Sequence, residues 1–331
     1  MTTLARELAL NPRQARAAFG AVRAVAEADG PPGAAGVRLL EVAASTLELE
    51  GDWHAVPAAG PDEVGEAFPA PEARRALVDA LLIPACIEGE VTAARESSVR
   101  SFARALGVRS HWVDLLPAMR RRRVLAIKRQ LYRRSPDARR LFARVWAEEG
   151  ILGVLRAVQF ILGRFVDPPL AERFRALGAL PDGTFGRRLF DDLQARGLSF
   201  PGERGGMPER MVHHDLMHVM NGYGTDAAGE CEIAGFYCAF SPGDPFTFIM
   251  IVLTTFHLGI PVSPAMVQTT RGAFDPARVV AAFLRGRRLR VDVMGPWDYW
   301  SLFPLPLEEA RERLGIADPK PPSHRTDLAA A

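Results

Sequence analysis

The sequence predicts an all-α protein, on three observations. Ala, Leu and Arg are abundant while Tyr, Thr and Ile are sparse, a balance that favours helix over strand. Apolar residues recur at helical spacing in one run after another. Gly- and Pro-rich breakers separate these runs, and no stretch reads convincingly as a strand. With 331 residues, of which 48% are hydrophobic, the chain is long for one core and apolar enough for two.

The first helical run covers residues 12 to 29 and stops at Asp29-Gly30-Pro31-Pro32-Gly33. A second, 37 to 49, places Leu39, Leu40, Ala43 and Leu47 on one face. Loops at Gly60-Pro61 and Pro69-Ala70-Pro71 lead to an apolar helix from Ala76 to Ile87, broken at Glu88-Gly89-Glu90. Val99, Phe102, Ala103 and Leu106 form the next face, with Gly107 placed to end it. Beyond the basic stretch described below come an apolar helix, 151 to 165, and a turn at Leu180 to Thr184. Two helices, 209 to 220 and about 226 to 240, then flank the turn Asn221-Gly222-Tyr223-Gly224. The second of these has Thr225 or Asp226 as its N-cap. Helices at 246 to 258, 276 to 288 and 307 to 314 complete the series, and 319 to 331 reads as a frayed tail.

Net charge is only +2, so bulk charge gives no argument for nucleic acid. The charge is unevenly spread: between Pro117 and Glu149 eleven basic residues face three acids. Val124, Ile127, Leu131 and Leu141 interleave with them, which fits an amphipathic helix. Its cationic face suits either solvent or an anionic membrane surface, where each basic residue contributes about 1 kcal/mol. Aromatic residues for stacking bases are too few there to favour nucleic acid. The three cysteines are odd in number and scattered, as in a reducing compartment, and residues 1 to 7 carry no secretory signal. The two most apolar stretches, 151–166 and 246–260, fall short of the roughly 20 residues a membrane-spanning helix needs. They suit either ordinary core or the walls of a lipid tunnel.

The chemistry gathers at His213-His214-Asp215-Leu216-Met217-His218, with Glu230 twelve residues further on. On a helix, His214 and His218 lie about 40° apart, and Asp215 falls within the same arc of about 100°. Val212, Leu216 and Val219 take the opposite, apolar face, and His213 points away from the pair. If Asn221 to Gly224 reverses the chain, Glu230 meets His218 at the same height. Small Ala234 leaves room opposite His214, and Tyr237 continues as a pocket wall. Two imidazoles with carboxylates and no thiolate suit Zn²⁺, Fe²⁺ or Mn²⁺. The competing reading is a helix that exposes an ordinary polar face.

Two resemblances follow from these residues. The motif His214-Asp215-x-x-His218 with Glu230, the segment Leu180-Pro181-Asp182-Gly183-Thr184-Phe185-Gly186-Arg187 and the helix Leu307 to Ile316 together resemble the coenzyme Q biosynthesis protein 4 family, over about residues 145 to 317. Residues 12 to 110 show a weak internal repeat, with Ala28-Asp29-Gly30 in one copy and Glu88-Gly89-Glu90 with Glu96 in the other. This resembles the TerB-like (tellurite-resistance B) helical domain, whose acidic turns are thought to hold metal; Gly36 stands near a position where that pattern has glutamate. The implied organisation is a TerB-like bundle in 1–115, a basic linker helix in 116–144 and a metal-binding helical domain in 145–331.

The first resemblance implies a metal, usually zinc, held by His214, Asp215, His218 and Glu230. It also implies a polyprenylated aromatic quinone precursor as ligand, contact with other quinone-biosynthesis proteins and a membrane, and removal of the ring C1 carboxylate, with or without oxidation at that carbon. Asp215 is then either a ligand or the catalytic proton carrier, and Arg187, Arg188 or the basic segment is available to attract the carboxylate. A cytoplasmic protein, peripheral on the inner face of the membrane, is the expectation, with a homodimer among the open oligomeric states. A lipid-binding scaffold without catalysis is the alternative. A metal-dependent hydrolase is a third reading, but it lacks a visible distal aspartate motif for a second metal.

Overall fold

The computed structural model describes residues 4–134, 164–241, 243–262 and 269–316, with isolated positions between 147 and 159. Every regular element among them is helical, joined by two isolated β-bridges, so the fold is all-α. The basic residues from 135 to 144, most of the expected helix 151–165 and the tail 319–331 lie outside the described residues. The chain forms two compact units: Met1–Ser135 with Asp244–Leu284, and Pro136–Gly243 with Arg285–Ala331. Residues 244 to 284, assigned by the sequence to the second domain, therefore pack with the first. Helical periodicity shows that a face is apolar but not which core receives it.

In the first unit, Asn11 caps the helix Pro12–Ala26 in a capping box with Gln14, and Phe19, Ala21 and Val25 of that helix are buried. The next helix runs from Ala34 to Thr46. The single helix expected from 76 to 87 is divided into Pro71–Ala80 and Leu82–Cys86. Pro84 explains the division: it has no N–H for the Ala80 carbonyl, and its ring crowds that carbonyl. Ala93–Ala105 follows, capped by Thr92.

Three acids of the internal repeat, Asp29, Glu88 and Glu96, are engaged within the protein. Asp29 pairs with buried Arg95 at 3.0 Å, and Glu96 pairs with Arg120 at 2.8 Å and Arg100 at 3.3 Å. Glu88 accepts the Gly36 N–H at 3.0 Å, near the start of the Ala34–Thr46 helix, where carboxylate charge is favoured. A Cβ at Gly36 would come within 2.7 Å of that carboxylate, so glycine there makes room for the contact. The acidic turns thus cap and pair helices.

The returning segment enters through Asp244, which is buried and accepts the Trp112 indole N–H at 2.9 Å. It continues as Phe246–Val252, where Thr247, Ile249, Met250 and Val252 are buried, and then one π-helical turn, Leu253–His257, buried throughout. His257 Nε2 lies 2.9 Å from the Ile87 carbonyl, and Nδ1 receives the Phe274 N–H at 3.3 Å. Both ring nitrogens are satisfied only if the proton sits on Nε2, so this histidine is structural. The expected helix 246–258 therefore serves as core of this unit. In the basic helix Val124–Arg134, Ile127 and Leu131 are buried while Leu125 is 84% exposed. Its apolar stripe thus faces inward.

In the second unit, Thr184 caps the helix Phe185–Ala195, which packs on both Val212–Asn221 and Leu307–Leu314. Backbone bonds tie the turn before it to the C-terminal segment: Phe185 N–H to Leu305 O and Gly186 N–H to Phe303 O at 2.9 Å, and Leu307 N–H to Gly183 O at 3.0 Å. A Cβ on Gly186 would meet Phe303 Cβ at 2.9 Å, which accounts for glycine there. Two segments more than a hundred residues apart are thereby joined beside the histidine helix.

Candidate metal centre

The histidine helix begins as a 3₁₀ turn, Glu209–Met211, and continues as α-helix from Val212 to Asn221. Val212, Leu216, Met217 and Met220 are fully buried. Each contributes about 1.5–3 kcal/mol, enough to draw His218 inside as well, at 2% exposure. Gly222, in the left-handed conformation at φ 69°, ends the helix, and Tyr223 N–H returns to His218 O at 3.0 Å. The second helix, Ala227–Cys238, is capped by Asp226, which accepts the Gly229 N–H at 2.8 Å.

This hairpin brings three ligand atoms together. His214 Nε2 and His218 Nε2 are 3.1 Å apart. Glu230 places Oε2 3.5 Å from the first and Oε1 3.4 Å from the second. Among the described residues this is the one group of three or more His, Cys, Asp or Glu with converging ligand atoms. Ligand atoms of a tetrahedral zinc site, at bonds of about 2.0–2.1 Å, stand about 3.3 Å apart. The residues present therefore fit a divalent ion in both chemistry and spacing, with at least one coordination position left for another group.

The electrostatics agree with that fit. Burial favours the neutral His214 ring, but the adjacent Glu230 carboxylate outweighs it, with help from Asp215, and raises the ring's pKa above 6.5. Burial also favours a protonated Glu230, yet hydrogen bonds and charge from the two rings prevail and hold its carboxyl well below the usual range. Without an ion, protons must bridge these atoms: two Nε2 atoms at 3.1 Å need one donor and one acceptor. A cation would take over that role.

The other expected residues fall differently. Asp215 does not join the three converging groups. It lies near enough to feel both rings, and burial pushes its carboxyl upward against their pull. His213 is also outside the set; its carbonyl accepts the Tyr237 hydroxyl at 3.2 Å. Tyr237 lies nearly parallel to His214, with ring centres 6.4 Å apart, and Ala234 is buried on the same helix. Arg187 is held by Asp191 at 2.8 Å, Asp182 at 3.1 Å and the Gly178 carbonyl at 3.3 Å, so it braces its own helix and turn.

Several supporting residues escaped sequence reasoning. Arg311, buried on the closing helix, reaches the end of the histidine helix: Nε donates to Met220 O at 2.7 Å and Nη2 to Val219 O at 3.3 Å. Glu209, in the opening turn, accepts from Tyr299 Oη at 2.9 Å and Trp300 Nε1 at 3.3 Å. These partners lie about 90 residues away, and no local spacing announces them. The pattern Gly224 to Gly229 did carry a signal. A Cβ at Gly229 would stand 1.8 Å from Gly224 O, so the tight return of the hairpin requires that glycine.

Compared with known proteins, the chain matches no family model and no curated protein.

Proposed function

We propose that the second unit binds one divalent ion, zinc ahead of iron or manganese, on His214, His218 and Glu230. We further propose that this centre removes the C1 carboxylate of a polyprenylated hydroxybenzoate in ubiquinone synthesis. The observation that carries the metal reading is the convergence of two Nε2 atoms and one carboxylate at 3.1–3.5 Å. The substrate rests on the resemblance to the coenzyme Q biosynthesis protein 4 family at His214, Asp215, His218, Glu230, Leu180–Arg187 and Leu307–Ile316.

When bound, the ion supplies Lewis-acid polarisation of a carboxylate or phenolate oxygen. Asp215, a carboxyl buried close to both rings, is the group placed to carry the proton that the reaction needs. As the bond between C1 and its carboxylate breaks, carbon dioxide leaves, the electron pair stays on C1, and the Asp215 proton goes to that carbon. Tyr237, whose phenol burial pushes well above 10, stays protonated and forms the wall beside His214.

Membrane recruitment belongs to the same reading. No helix among the described residues is long and apolar enough to cross a bilayer. The outer side of the basic helix and the turn before it offers Arg121, Arg123 and Arg129 beside exposed Leu125, a set suited to anionic headgroups. Other quinone-biosynthesis proteins are the partners this reading requires at that surface.

The test is production of ubiquinone in cells that depend on this chain. Asp215→Asn should abolish it while the protein stays folded and membrane-associated, and Glu230→Ala should do the same. Full synthesis with both variants would end the catalytic reading in favour of a lipid-binding scaffold.

A further inference from the structure

We propose that Arg311 is a positioning residue of the metal centre, acting through the last turn of the histidine helix. The proposal rests on the metal reading above. Arg311 is 7% exposed, although an unpaired guanidinium in such a place is costly. Its acidic partner Glu308 keeps a side chain 72% exposed, so the pair was not drawn inward by the carboxylate. What the buried side of Arg311 meets is the Met220 carbonyl at 2.7 Å and the Val219 carbonyl at 3.3 Å. These are among the last carbonyls of the helix and stand at its negative end; Val219 O also takes the Gly222 N–H at 3.3 Å, the weaker kind of closure found at a helix terminus. Val219 and Met220 directly follow His218, whose own carbonyl is taken by Tyr223 N–H. A fork that holds two successive carbonyls fixes both the rotation and the height of that turn.

The opposite end of the helix is held from the same stretch of chain. Tyr299 and Trp300 both donate to Glu209, in the 3₁₀ turn that leads into Val212. Residues 299 to 311 contribute no ligand, yet they grip the helix before His214 and after His218. The 3.1 Å between the two Nε2 atoms depends on that helix being neither twisted nor frayed. Metal sites tolerate ligand displacements of only about 0.2 Å. Loosening the last turn should therefore weaken metal binding more than it weakens the fold.

The experiment compares wild type, Arg311→Met, Arg311→Lys and Leu314→Ala as full chains. Leu314 is buried on the same closing helix and serves as a control for lost packing. Zinc affinity is measured by competition with a chromophoric chelator, cobalt(II) reports ligand geometry through its visible spectrum, and melting of the metal-free protein reports stability. Arg311→Met should weaken zinc binding about ten- to a hundredfold and alter the cobalt spectrum. Arg311→Lys, which cannot span both carbonyls, should fall between, and it carries the test if the methionine variant does not fold. Leu314→Ala should lower the melting temperature yet keep wild-type affinity within about threefold. Wild-type affinity in both arginine variants overturns the proposal, as does an equal loss in Leu314→Ala. Failure of wild type itself to bind zinc or cobalt overturns the metal reading and this one together, a separate result.

Discussion

Gly229→Ala puts the hairpin argument at risk in a measurable way. On helix propensity alone the change should stabilise, by about 1 kcal/mol. The structure predicts the reverse. The new Cβ would lie 1.8 Å from Gly224 O, 2.4 Å from Gly224 C and 2.8 Å from Gly224 Cα, all of them backbone atoms that no rotamer change can move away. A carbon and a carbonyl oxygen in ordinary contact stand about 3.3 Å apart, so turn and helix must separate by about 1.5 Å. Overpacking of that kind costs about 1–3 kcal/mol or more, which exceeds the propensity gain. Glu230 is the next residue, and a ligand moved by even half of that separation leaves the range a metal tolerates. The variant should melt below wild type and bind zinc at least about a hundredfold more weakly, measured by thermal unfolding and chelator competition. A variant that melts higher and keeps its affinity would refute the claim that this close approach sets the hairpin.

Other expectations follow from buried titrating groups and from the neighbour left outside the site. Asp79 is 5% exposed and accepts the Ser110 hydroxyl at 2.5 Å, and burial pushes its carboxyl from 3.8 up to about 6. A carboxyl raised on folding contributes stability that is present below 3.8 and lost as pH rises through about 6. Asp79→Asn should therefore gain on wild type at pH 7.5, by up to about 3 kcal/mol, and the gain should vanish by pH 4; equal melting curves at both pH values would contradict this. His214, with its pKa raised above 6.5, must lose a proton to bind metal, so zinc affinity should climb with pH through that range, and a flat profile would count against the assignment. In the metal-free protein, stability from His214 is present below 6.5 and lost as pH rises through the folded value. That from Glu230 is present above 4.5 and lost as pH falls through its lowered value. His213→Ala should keep zinc affinity within about threefold, since its ring is not among the three converging groups and its carbonyl, which accepts the Tyr237 hydroxyl, survives the change. A tenfold loss on titration would show that its ring belongs to the centre.

Local order along the chain explains what could be read beforehand. Histidines four residues apart must share a helical face, and a glycine turn midway to Glu230 brings the acid back to them; both are short-range consequences of helix geometry. The closing helix, Leu307–Leu314, has the expected bounds for the same reason. Pro84 does signal the division after Ala80, because a helix carrying proline four residues on loses a bond there. The destination of residues 244 to 284 was not legible, since an apolar helix is equally apolar in either core. Nor were two of the arginines: Asp29 and Glu96 resemble ligands in one dimension, and only the fold brings Arg95 and Arg120 to them, whereas Arg100 lies one helical turn from Glu96. Nothing in the spacing around Arg311 announces its reach to Met220, 91 residues away. Asp215, one residue from a ligand and on the right arc, shows how adjacency on a helix differs from convergence of side-chain atoms.

The central claim is that His214, His218 and Glu230 form one metal centre. Its most direct test is the zinc content of the purified chain after reconstitution and removal of loosely held ions, for wild type, His218→Ala and Glu230→Gln. One zinc per wild-type chain, lost in both variants while their helical content is unchanged, is the predicted result. No zinc in wild type, or full retention in both variants, would contradict it.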